Sequence, residues 1–167
     1  GRKQFRVLHV ELLSPKQNSH KLREELDQFA GKFHKVIEAG HMVCITDNPM
    51  GNLSFQGTEL IQVLELPVES GRVSIHLNTF HTKENLDEIL TTAADMGIDN
   101  LLTISGDGNP RLPKLAGKDL GFDVESVTSV ELIRYIHREY ANTFTIGVAF
   151  NPYEPQDHEL EKMRRKI

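Results

Sequence analysis

The chain has 167 residues, a formal net charge of −5 and 38% apolar residues, a composition typical of one globular domain with a buried core. The acidic balance argues against a protein that binds nucleic acid through clustered Lys and Arg, and no apolar run approaches the length of a membrane span. The single cysteine, Cys44, can form no internal disulfide, which fits a reducing cytosol. We therefore expect a cytoplasmic protein that binds neither nucleic acid nor membranes.

Five segments in which polar and apolar residues alternate predict β-strands. In chain order they are Phe5–Leu13, Met42–Asp47, Arg72–Phe80, a strand that begins at Asn100, and Phe144–Asn151. Amphipathic segments after the strands predict helices from Ser19 to Gly40, from Thr58 to Pro67, from Thr82 to Gly97, around Val130 to Ile136, and from Leu160 onward. A loop rich in Gly, Lys and Pro is expected before the fourth helix, up to about Val124.

The repeated order of strand and helix, with short connections, predicts a parallel α/β protein. An open doubly wound sheet and a (β/α)8 TIM barrel are the two candidate architectures. Central strands of an open sheet are apolar on both faces, whereas every strand here carries polar or small residues on one face. This favours the barrel, of which the chain supplies about the first five βα units. We expect residues 1–167 to form a single barrel domain, incomplete at its C-terminus.

The fourth strand ends in Ser-Gly-Asp-Gly, at the kind of position where α/β proteins hold their active sites. Gly106 and Gly108 would let the backbone turn beside the carboxylate of Asp107. Alternation along this strand places Leu101 and Thr103 on the face of Ser105 and Asp107. The same four residues are also ordinary β-turn chemistry, and that interpretation stays open.

Polar residues near the carboxyl ends of the strands predict an inner face at the mouth of the barrel. They are Glu11, Thr46, His76, Asn78, Ser105, Asp107 and Asn151. Two carboxylates beside His76 would suit general acid–base chemistry. Alternatively, the carboxylates accept hydrogen bonds from loop amides and His76 is a core residue, while His81 fits an exposed loop.

Four common site signatures are absent from the sequence. No His-Glu-x-x-His or paired Cys motif indicates a metal site. The Gly-x-Gly-x-x-Gly and Walker patterns are also missing, which argues against a Rossmann dinucleotide site and against a P-loop.

The order and spacing of several segments resemble the methylenetetrahydrofolate reductase family. Val10-Glu-Leu-Leu-Ser-Pro-Lys16 is similar to that family's Glu-Phe-Phe-Pro-Pro-Lys, and Ile75-His-Leu-Asn78 to its His-Leu-Thr. Ile104-Ser-Gly-Asp107 resembles the strand end that carries Arg-Gly-Asp or Thr-Gly-Asp in other members. Ile146-Gly-Val-Ala-Phe-Asn-Pro152 continues the resemblance in register.

The resemblance implies an enzyme that binds FAD at the barrel mouth and reduces 5,10-methylenetetrahydrofolate to 5-methyltetrahydrofolate, with NAD(P)H or another electron donor as reductant. Glu11 would be the general acid that opens the folate imidazolidine ring, and Asp107 would lie between flavin and pterin. The folate contacts implied are Glu11, Asn78 and Asp107. The flavin contacts implied are Thr46, His76, Ser105, Gly106, Asp107, Ser129, Phe150, Glu159 and Lys166.

Two departures from the family pattern concern the flavin. Ser105 stands where many members carry an arginine, and Phe150 replaces a tyrosine. These changes resemble members from anaerobic one-carbon pathways, some of which work with partner subunits. The resemblance leaves open whether this protein is a homo-oligomer or works with a partner redox subunit. A non-catalytic barrel that binds folate or a partner, and another TIM-barrel enzyme with an acid–base pair, remain alternative functions.

Overall fold

A computed structural model describes residues 5–68, 71–104 and 109–148, whose strands form one parallel sheet. The strands pair with their neighbours in chain order, β1-β2-β3-β4-β5. They are β1 (His9–Leu12), β2 (Met42–Ile45), β3 (Val73–Leu77), β4 (Asn100–Thr103) and β5 (Thr145–Val148).

Helices separate the strands along the chain. They are α1 (Leu22–Glu38), α2 (Gly57–Val63), α3 (Lys83–Met96), α4 (Gly117–Leu120) and α5 (Ser129–Glu139), with a 3-10 turn at Pro49–Gly51. A parallel sheet whose strand order follows the chain, with helices in between, is the arrangement of the first βα units of a TIM barrel. The predicted fold class is therefore confirmed. None of the helices in the three described ranges is long and apolar enough to cross a membrane.

Three observed strands are shorter than predicted: β1 mainly at its amino end, since it begins at His9 rather than Phe5, and β2 and β3 mainly at their carboxyl ends. Predicted Met42–Asp47 ends at Ile45, and predicted Arg72–Phe80 ends at Leu77. Polar residues beyond these ends form loop hydrogen bonds instead of continuing the strand ladder. For example, the backbone N–H of Asn78 donates to the carboxylate of Asp47 at 2.9 Å.

The bounds of α3 follow the predicted capping residues. The hydroxyl of Thr82 accepts a hydrogen bond from the backbone N–H of Asn85 at 3.1 Å. Gly97 ends the helix with a φ of +86°, in the left-handed region that glycine adopts without strain. By contrast, α1 begins at Leu22 rather than directly after Ser19, because the Ser19 hydroxyl accepts from Lys21 N in the preceding turn.

The short helix α4 lies within the segment that the sequence predicted as loop. The carboxylate of Asp119 accepts a hydrogen bond from the backbone N–H of Ala116 at 2.9 Å. Gly117 packs so closely against Val124 that a Cβ atom would overlap the Val124 carbonyl oxygen. One helical turn and one tight glycine contact leave little periodicity for a sequence pattern to detect.

One face of the sheet packs against the helices and contains most of the core. The fully buried side chains of this core include Ile45 and Leu77 from the sheet and Phe33, Leu86 and Leu90 from the helices. The other face carries Glu11 opposite Cys44, Cys44 opposite Ser74, His76 opposite Leu102, and Leu102 opposite Gly147.

The predicted orientation of β4 was wrong. Leu101 and Thr103 are buried on the helix-facing side, at 2% and 0% exposure, while Leu102 shares the face of His76. Shifting a strand by one residue would turn all its side chains to the other face, so the burial of Leu101 fixes this orientation. The predicted end of the fifth strand at Asn151 and the helix from Leu160 lie outside the described residues.

Candidate functional site

A cavity of about 320 Å³ lies on the face of the sheet that points away from the helices. Glu11 of β1 and His76 of β3 both line it, although β2 separates their strands. Other residues that line the cavity are His9, Met42, Cys44, Ser74, Asn100, Leu101, Leu102, Thr145, Ile146 and Gly147. The sequence predicted that Glu11 and His76 share one face, and the structure brings them together.

His76 is buried, with 7% of its surface exposed. Burial lowers the pKa of His76 below its ordinary value, and the negative charges of Glu11 and Asp47 oppose that shift. The ring is therefore neutral near pH 7 and offers one hydrogen-bond donor and one acceptor. Such a ring can contact an uncharged heterocycle that has both donors and acceptors.

Glu11 differs from His76 because its side chain is exposed within the described part of the chain. A buried carboxyl would suit the general acid that the family resemblance implies, and Glu11 is not buried among the described residues. Beside it, burial raises the pKa of Cys44, while a hydrogen bond with Ser74 acts in the opposite direction. The Cys44 thiol is consequently protonated and is a poor nucleophile at neutral pH.

Asp47, just beyond the end of β2, is a buried carboxylate that sequence reasoning missed. It is 2% exposed. One carboxylate oxygen, Oδ2, accepts from Asn78 N at 2.9 Å and lies 2.6 Å from Nε2 of His81. The other, Oδ1, accepts from Nε2 of Gln56 at 3.1 Å. The carboxylate thus has three hydrogen-bond partners from two segments of the chain, the loop after β3 and the residue that precedes α2.

The expectation that His81 is an exposed loop residue was wrong. His81 is 1% exposed, and its Nδ1 accepts a hydrogen bond from the side-chain amide of Asn85 at 3.0 Å. With the amide in this orientation the proton of a neutral ring is on Nε2, which donates to Asp47. The partners are 34 residues apart, and only the position of His81 next to the helix cap Thr82 was visible in the sequence.

Asn78 lies at the end of β3, as predicted, but its side chain forms hydrogen bonds to the protein backbone. Its Nδ2 donates to the backbone carbonyl of Asp47 at 3.0 Å, and its Oδ1 accepts from Phe80 N at 2.9 Å. Only 1% of its surface is exposed. Nearby, the Thr46 hydroxyl accepts from Ser14 N at 2.9 Å, and no hydrogen bond from it to another described residue is present.

Ser129 is the first residue of α5, and its hydroxyl is buried without a hydrogen-bond partner among the described residues. The helix N-terminus is capped by its neighbours, because Thr128 accepts from Val130 N at 3.2 Å and Glu131 accepts from Thr128 N at 2.8 Å. Buried hydroxyl groups without a partner are rare in proteins. A bound ligand would satisfy this one.

Lys114 is a cation near the end of β3 and the start of α5 that no sequence pattern selected. Its ammonium group donates to the hydroxyl of Thr79 and to the carbonyl of Val127, the latter at 2.7 Å. It also lies 4.9 Å from the centre of the Phe80 ring. Burial lowers the pKa of Lys114, against the attraction of Glu131.

Six predicted site residues lie outside the described residues. They are Ser105, Gly106, Asp107, Phe150, Glu159 and Lys166. Within residues 5–68, 71–104 and 109–148, no group of three or more His, Cys, Asp or Glu is placed to hold a metal ion.

The parallel sheet and its polar strand ends define an α/β protein of the TIM-barrel class. A sequence model of the family described as methylenetetrahydrofolate reductase matches residues 3–167. The chain therefore belongs to the methylenetetrahydrofolate reductase family. A curated relative, methylenetetrahydrofolate reductase 2 of Schizosaccharomyces pombe, is 32% identical over 83 residues. The aligned region covers 50% of this chain but only 12% of the yeast protein.

Proposed function

We propose that the protein is an FAD-dependent oxidoreductase that reduces 5,10-methylenetetrahydrofolate to 5-methyltetrahydrofolate in one-carbon metabolism. The family match over residues 3–167 carries the proposal. The shared cavity of Glu11 and His76 supports it, because these are two of the residues that the family resemblance selects. In this proposal residues 1–167 are one reductase-like barrel domain.

Three described residues suit a flavin. His76 offers a neutral ring at the cavity. The Thr46 hydroxyl donates to no acceptor among the described residues, and the buried Ser129 hydroxyl has no hydrogen-bond partner among them. Uncharged donors and acceptors of this kind match the ring system and ribityl chain of FAD. The proposal adds Ser105, Gly106, Asp107, Phe150, Glu159 and Lys166 from the family resemblance. When bound, FAD supplies the two-electron hydride chemistry that no amino-acid side chain provides.

Glu11 is proposed as the general acid. Its exposed side chain lines the cavity, so it can reach a bound ligand. A proton delivered to a nitrogen of the imidazolidine ring breaks the ring C–N bond and leaves the folate as an iminium cation. Asp107 is proposed to stabilise that cation and to hydrogen-bond the pterin. Asn78 is proposed to shape the folate side of the cavity through its loop, since its amide is already engaged.

The test measures FAD binding and hydride delivery separately. Full-length protein is purified, its flavin spectrum recorded, and the bound flavin reduced with dithionite before 5,10-methylenetetrahydrofolate is added. Reoxidation of the flavin then reports folate reduction without any assumption about the electron donor. Repeating the reduction with NADH and with NADPH identifies whether a nicotinamide is the donor.

Two variants test the assigned residues. We expect Glu11→Gln and Asp107→Asn to bind FAD within about threefold of wild type but to slow reoxidation by about 100-fold or more. Asp95→Asn, an exposed carboxyl on α3, is the matched control and should match wild type. Wild-type reoxidation by Asp107→Asn would remove the role of Asp107. A colourless wild-type protein that binds folate without reducing it would favour the non-catalytic alternative.

A further inference from the structure

Two buried ionisable side chains, Asp47 and His81, lie in the loops that follow the candidate flavin contacts Thr46 and His76. They have no part in the proposed chemistry. Asp47 and His81 are each 1% exposed at the side chain, and Oδ2 of Asp47 lies 2.6 Å from Nε2 of His81. A carboxylate is costly to bury unless hydrogen bonds replace its water. Asp47 and His81 are 34 residues apart in sequence, and their contact joins two distant segments. Two apolar side chains could make such a contact with a smaller desolvation cost. The pair therefore calls for a function beyond stability.

The pair fixes the two segments that carry the candidate flavin contacts. Asp47 follows Thr46 directly, and its carboxylate holds the backbone N–H of Asn78, two residues beyond His76. In the other direction, the backbone carbonyl of Asp47 accepts from the Asn78 side chain at 3.0 Å. Thr46 and His76 are thus each within two residues of a hydrogen bond to Asp47.

His81 and Gln56 anchor the same carboxylate to the start of α3 and the start of α2. His81 precedes the α3 cap Thr82, and Gln56 precedes the first residue of α2. Hydrogen bonds to a charged acceptor are shorter and stronger than neutral ones, so they locate the two strand ends relative to both helices. A third loop is tied to this region, because the Asn109 amide donates to the carbonyl of Gly51 at 3.1 Å.

We propose that Asp47 and His81 are positioning residues that hold Thr46 and His76 in the geometry that binds FAD. The inference rests on the proposed function. A site whose contacts are already in place loses less conformational entropy when the ligand binds. Without the pair the two strand ends would have to be ordered by the flavin itself, and the affinity for FAD would fall.

The neutral tautomer of His81 suggests a conservative variant. Asn85 donates to Nδ1, so the interaction that holds Asp47 is a single N–H on Nε2. Glutamine at position 81 can present a side-chain N–H to Asp47, whereas leucine has similar bulk and no donor. The comparison of His81→Gln with His81→Leu therefore isolates the hydrogen bond from the packing of the ring.

The experiment measures FAD dissociation constants and urea unfolding of full-length wild type, His81→Leu, His81→Gln and Asp47→Asn. Thr82→Ala is the matched control, because it removes the cap of α3 next to His81, lowers stability and leaves the pair intact. We expect His81→Leu to raise the FAD dissociation constant on the order of tenfold, the size of one lost hydrogen bond. His81→Gln should restore binding to within about threefold, and Thr82→Ala should bind as wild type.

Several outcomes would overturn the proposal, and they are distinguishable. Equal FAD affinity of His81→Leu and Thr82→Ala would show that the pair contributes only stability. If His81→Leu does not fold, wild-type affinity in Asp47→Asn would likewise show a contribution to stability alone, while weaker binding would support positioning. A wild-type protein that unfolds cooperatively but binds no FAD would overturn the proposed function and the positioning role together.

Discussion

The end of β2 and the end of β1 both carry a carboxylate, and the two are in opposite environments. Asp47 is 2% exposed and accepts hydrogen bonds from Gln56, Asn78 and His81. Glu11 is exposed and lines a cavity. A buried carboxylate with several hydrogen-bond donors is held in one position, which suits an anchor. An exposed carboxylate that lines a cavity can reach a bound ligand, which suits a reacting group.

The largest effect on stability is expected when the carboxylate of Asp47 is removed. Asp47→Ala leaves the backbone N–H of Asn78, the Gln56 amide and the His81 ring without their acceptor. We expect the free energy of unfolding to fall by about 3–5 kcal/mol, as for a buried pair that loses one member. Urea unfolding followed by circular dichroism measures it. A loss below about 1 kcal/mol would show that water replaces the carboxylate and that the anchor is dispensable.

A smaller, pH-dependent effect is expected from His76. Its pKa is lowered in the folded protein, mainly by burial, so the unfolded chain binds the proton more readily. The neutral ring thus contributes stability above its unfolded pKa of about 6.5, and that contribution is lost as pH falls toward the folded value. When the pH is lowered from about 7.5 to about 5.5, the free energy of unfolding should therefore fall less in His76→Gln than in wild type. Identical pH dependence of urea unfolding in both proteins would contradict the assignment.

The smallest effect on stability is expected at Glu11. Because its side chain is exposed, Glu11→Gln should change the free energy of unfolding by no more than about 0.5 kcal/mol. The same variant is expected to slow folate reduction severely, so stability and activity would separate at this residue. A stability loss comparable to that of Asp47→Ala would abolish the contrast between the two carboxylates. The measurement is again urea unfolding, at neutral pH and in parallel with the other variants.

Local signals in the sequence determined much of the fold. The cap at Thr82 and the stop at Gly97 predicted both ends of α3, because each acts through its own backbone or that of residues within one turn. Alternating residues predicted all five strands, and their order with the helices predicted a parallel α/β fold. The common face of Glu11 and His76 also followed, since side chains alternate along every strand. Family membership was recognisable from the order and spacing of short motifs.

The tertiary structure alone decided which face of β4 is buried, because alternation gives two sets of residues but not the side on which the helices pack. It also decided the fate of His81, expected in an exposed loop and found buried against Asp47. That contact joins residues 34 positions apart and forms only when β2 and β3 lie side by side. The sequence by itself therefore determined the five strands, the longer helices between them, their order and the residues at the strand ends. Which of those residues serve as anchors and which face the cavity depends on packing between distant segments, which no local pattern encodes.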